Sequence, residues 1–110
     1  MGEIMGLFAV NYTLMGRSPK DYKNLIAAIK GASDGNYLHC LDSLWLISSS
    51  GGARDIYNHL AQCMRKGDFL LVQGVTREFA CSLPKDSVDW LKAFLKHDLD
   101  PVISTPMPPL

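Results

Sequence analysis

The 110-residue sequence predicts an α+β fold with the element order βαββαβ around an antiparallel sheet. Three observations carry this reading. Short apolar runs rich in β-branched and aromatic residues alternate with two segments whose apolar residues recur at helical spacing, and clusters of Gly, Asp, Asn and Ser separate them. The first run, Ile4 to Leu14, is apolar on both faces, as in a strand buried from two sides, yet it ends on the polar-tipped Asn11, Tyr12 and Thr13. In "SPKD", Ser18 stands as N-cap, Pro19 takes the first helical position and Asp21 completes a capping box. Tyr22, Leu25, Ile26 and Ile29 then mark a helix to about Lys30, and "GASDGN" stops it and reverses the chain.

"YLHCLDSLWLIS" divides into strands Tyr37 to Leu41 and Ser43 to Ile47, with the bend at Asp42. In "SSSGGARD", Ser49 or Ser50 offers an N-cap, and Ile56, Leu60 and Cys63 line a second helix ending near Lys66 and Gly67. "DFLLVQGV" reads as a fourth strand and "REFACSL" as an optional short fifth, interrupted by Pro84. Asp86 then caps a closing helix with Val88, Leu91 and Leu95 on one stripe.

This order is the ferredoxin-like sandwich, whose two βαβ halves place both helices on one face of the sheet. Residues 1–99 read as one such domain with a C-terminal helix, and 100–110 as a Pro-rich extended tail holding four of the six prolines. The second face also needs cover. Leu7 and Ala9 oppose Phe8 and Val10, Leu44 and Leu46 oppose Trp45 and Ile47, and "FLLV" does not alternate. A second copy of the chain is the readiest cover, so a homodimer is expected, with Trp45 anchoring its core.

Eleven basic residues balance eleven acidic ones, so no overall field draws the chain to a polyanion. Any nucleic-acid contact must then use a local patch, such as Lys20, Lys23 and Lys30 along the first helix or Arg65, Lys66 and Arg77 near the other end of the sheet. Cys40, Cys63 and Cys81 are odd in number and form no C-x-x-C pair, which argues against a disulfide framework or zinc site and for reduced, half-buried thiols. The apolar stretch before Asn11 is too short for a membrane span and lacks a basic leader, so a cytoplasmic protein with no membrane partner is expected.

The strings "VNYTL", "YLHCLDSLWLIS", "DFLLVQGV" and "DWLKAFL", in that order, resemble the small CRISPR-associated adaptation endonucleases and their SinR-like and VapD-like relatives, over roughly Met5 to Leu95. The resemblance implies a dimer whose axis brings one strand-end carboxylate from each protomer together, to hold a divalent cation for phosphodiester cleavage. Thr13 stands at that position here. A neutral hydroxyl lacks the charge that offsets dehydration of magnesium. The expectation is therefore a homodimeric binding or scaffolding protein with metal-dependent cleavage lost and no cofactor. Magnesium enters only if cleavage survives through other residues, for which Tyr12 and Asp42 are the candidates. A third reading is an adaptor or inhibitor that binds a partner protein and no nucleic acid.

Asn11, Ser43, Trp45, Arg54 and Arg77 are the candidate nucleic-acid or interface residues. Each feature also has a plainer account. A strand end reaches solvent, and Asp42 satisfies its own turn. "SSSGGARD" lacks the Lys of a P-loop and reads as an N-cap beside Arg54. His39, Cys40 and Cys81 lie among Leu38, Leu41, Phe79 and Leu83, which favours packing over a Cys/His nucleophile.

Overall fold

The computed structural model describes residues 6–76, 81–95 and 102–103. Two compact units make up the chain, Met1–Val75 and Thr76–Leu110. The first is the ferredoxin-like body: β1 (Gly6–Thr13), α1 (Pro19–Ala32), β2 (Tyr37–Leu41), β3 (Leu44–Ser49), α2 (Ala53–Ala61) and β4 (Phe69–Gly74). Its antiparallel sheet has the order β2-β3-β1-β4. The second unit holds β5 (Cys81–Ser82), α3 (Lys85–Leu95) and β6 (Val102–Ile103), with β5 and β6 paired in parallel.

Register assigns every strand residue to a face, because residues directly opposite in an antiparallel pair point the same way. Val10 pairs with Trp45 and Val72, and Phe8 with Ile47. These side chains meet Leu25 and Ile29 of α1 and Ile56 and Leu60 of α2 in the main core. α1 begins as its sequence predicts: Asp21 N–H donates to Ser18 Oγ at 3.3 Å, and Ser18 N–H donates to Asp21 Oδ2 at 3.0 Å. Beyond the end of α2, Gly67 takes φ +94°, a left-handed conformation that turns the chain into Asp68 and β4.

Several boundaries differ from expectation. α2 starts after Gly52, not Ser49 or Ser50, because Asp55 Oδ2 accepts the Gly52 N–H at 3.2 Å and closes the helix from inside. It ends at Ala61, and turns at residues 62–63 and 66–67 lead to β4. Asp86 lies within the first turn of α3 and does not cap it; the Pro84 carbonyl accepts the amides of Ser87 and Val88. β4 does alternate: Phe69 and Leu71 are exposed where Leu70 and Val72 join the core.

Trp45 also departs from expectation. It is 4% exposed and belongs to the helix-side core, so its side chain is not on the open face where a dimer anchor was expected. The open face itself is only partly bare. Leu7, Ala9 and Leu46 are buried, and large apolar side chains stay exposed at the end that carries the last residues of β1.

Candidate functional site

The open-face end of the sheet forms two transverse rows. Leu41 pairs with Leu44, Leu44 with Asn11, and Asn11 with Leu71; in the next row Thr13 pairs with Phe69. Phe69 is 69% exposed and Leu71 and Leu41 are each 55% exposed, while Met15, just beyond β1, is 60% exposed. Asn11 and Thr13 are thus polar positions set among protruding apolar side chains. Neither Thr13 nor Asn11 carries charge, and among the described residues no three His, Cys, Asp or Glu side chains are grouped to hold a metal ion. Magnesium, which favours charged oxygen ligands, is a poor fit for such neighbours.

The turn of β2 and β3 does reach the end of β1, as a replacement ligand from Asp42 requires. The contacts made there are backbone ones. Tyr12 N–H donates to the Ser43 carbonyl at 3.2 Å, and Tyr12 Oη donates a long bond of 3.4 Å to the Asp42 carbonyl. The Tyr12 ring is 6% exposed and sits in the helix-side core, so its hydroxyl serves the turn. Asp42 and Ser43 are exposed. Arg54 is exposed on the first turn of α2, beside an open groove of about 520 Å³ lined also by Tyr57, Leu70 and Val72. The loop before it is self-satisfied, since Ser49 Oγ accepts Gly51 N–H at 3.1 Å and Asp55 holds Gly52. Arg77 lies outside the described residues. Burial raises the Cys81 thiol above its ordinary value, which disfavours a thiolate nucleophile.

Sequence reasoning missed an ionic network at this same end. Arg17, with a side chain 7% exposed, pairs through Nη1 with Asp68, which is 1% exposed, and donates from Nη2 to the Cys63 carbonyl at 3.2 Å. Asp68 also accepts the amides of Met15 at 2.9 Å and Arg65 at 2.8 Å. Asp21 joins from α1, 3.2 Å from Arg17 Nε and 3.2 Å from Arg65 Nη2. The hydrogen bond from Arg17, then that from the Ser18 amide, lowers Asp21 to about 2; the Met15 amide foremost lowers Asp68, and Asp21 foremost raises Arg17. Each charge has opposite charges or amides around it, so the cluster ties the loop after β1 to the loop before β4. The pair is 51 residues apart in the chain, and no local pattern announces it.

A second constellation lies on the helix-bearing side, at the β2 edge. The His39 ring stacks on Trp45 with centroids 4.4 Å apart and planes 8° from parallel, and Tyr37 lies 6.0 Å from Trp45 at 48°. Lys30 Nζ sits 5.4 Å from the Tyr37 centroid and 5.9 Å from that of Trp45. His39 Nε2 lies 3.1 Å from the Asp42 carbonyl, so that nitrogen carries the hydrogen. The Trp45 indole N–H has no hydrogen-bond partner among the described residues; stacking and burial hold the ring.

Comparison with family models, with curated proteins and with solved structures returns no match for this chain.

Proposed function

We propose that this chain is a homodimeric, ferredoxin-like binding or scaffolding module in which the metal-dependent cleavage implied by the resemblance has been lost. The observation that supports it is the exposed apolar set Phe69, Leu71, Leu41 and Met15 around the end of β1. Large apolar side chains clustered in this way on one face mark an interaction surface. A second copy is the occupant that meets the surface with equally apolar chemistry, and a two-fold axis near Asn11 and Thr13 places Phe69 and Leu71 against their own counterparts. Where a nuclease of this kind needs paired carboxylates, such a dimer brings together two hydroxyls and two amides. Sedimentation velocity on the full chain tests the reading: a dimer at tens of micromolar is expected, and a monomer at that concentration overturns it.

A further inference from the structure

We propose that the β2 edge, with the lysine stripe of α1, is a binding track for single-stranded nucleic acid, in which bases stack on Tyr37 and His39 and phosphates meet Lys30 and Lys23. The track lies on the helix-bearing side of the sheet and is independent of the dimer surface.

Tyr37 and His39 stand two residues apart on an edge strand, on the same face, about 6.6 Å from one another along it. Both are exposed, Tyr37 by 37%. His39 is exposed, rests one ring face on the buried Trp45 and holds the Asp42 carbonyl through Nε2, so its orientation is set before any ligand arrives. An aromatic platform of this kind takes any base, because every base has a π face. Lys30 supplies the second requirement, an ammonium group over the Tyr37 and Trp45 rings, which a stacking base moves aside to the adjoining phosphate. Lys23 is exposed and lies seven residues earlier, on the same stripe of α1 and about 10 Å along its axis.

The acidic groups nearby are Asp34 and Asp42. The Asp34 carboxylate is engaged inward, accepting Ser48 Oγ at 2.6 Å and the Asn36 amide at 3.0 Å. Asp42 is exposed, and its charge opposes a phosphate on this track. That opposition yields a signature: removing it tightens binding, whereas a merely structural Asp42 leaves binding unchanged.

The test is fluorescence anisotropy at low salt with the full chain and labelled oligo(dT) and oligo(U) of about ten nucleotides. Saturable binding in the micromolar range is expected with at least one of the two strands, and a duplex of equal length binds more weakly. Tyr37→Leu, which keeps packing against Trp45 but removes the π face, and His39→Ala each weaken binding roughly five- to hundredfold, while Tyr37→Phe binds as the unmodified chain does. Lys30→Gln reduces the salt slope by about 0.7, and Asp42→Asn tightens binding. Absence of binding to both strands up to about 100 μM overturns the proposal, as does unweakened binding by a folded Tyr37→Leu, His39→Ala double variant or a preference for duplex.

Discussion

Replacing Phe69 by Thr at the open-face end of β4 puts a β-branched strand former in its place and removes the most exposed large apolar side chain among the described residues. Full burial of such a side chain contributes about 1.5–3 kcal/mol, and the 69% of Phe69 left exposed in one chain scales this to about 1–2 kcal/mol per copy. A two-fold interface contains the residue twice, so dimerisation should lose about 2–4 kcal/mol, a roughly 30- to 700-fold increase in the dimer dissociation constant. Folding of the protomer should change by less than about 1 kcal/mol, because the ring is outside the core. Sedimentation velocity over a dilution series from about 1 to about 100 μM reads the first quantity, and thermal unfolding of the monomeric fraction reads the second. Equal dissociation constants for Phe69→Thr and the unmodified chain would refute the assignment of this face. A collapse of folding would show that Phe69 belongs to the protomer core.

The Asp21 carboxyl, held at about 2 against an ordinary 3.8, contributes stability that is present above about pH 4 and is lost as pH falls toward 2; Asp21→Asn should flatten this acid limb of the melting temperature. Ser18→Ala removes the α1 cap that accepts the Asp21 amide, and chemical denaturation should record a loss of about 1 kcal/mol with an unchanged m-value. Calorimetric titration with magnesium or manganese should give no site tighter than about millimolar, and a micromolar site would contradict the proposed loss of cleavage. Thr13→Asp, which places one carboxylate per protomer at this strand end, should strengthen that binding in the proposed dimer but not in a Thr13→Asp, Phe69→Thr double variant.

The element order was legible because each element rests on signals within a few residues of itself. Ser18, Pro19 and Asp21 start α1 in the sequence and in the structure alike, and the turn composition of "GASDGN" and the bend at Asp42 separate the strands as read. The same locality explains the errors. Ser49 and Ser50 are good caps in isolation, but β3 extends through Ser49 because that strand pairs Gly6 with Ser49, and the helix must start later, at Gly52. "FLLV" shows no alternation as letters, since all four side chains are apolar, and only the register against β1 separates exposed Phe69 and Leu71 from inward Leu70 and Val72.

At the candidate site, the sequence alone determined that β1 ends in polar, uncharged groups and that Thr13 stands where the resemblance implies a carboxylate. Tertiary structure decided what surrounds them. It set Leu41, Leu71 and Phe69 beside Asn11 and Thr13, turned Trp45 away into the helix-side core, and joined Arg17 to Asp68 across 51 residues. Caps and turns are written in neighbouring residues, whereas the face a side chain takes in a sheet depends on strand register, and a one-residue shift in register inverts every assignment.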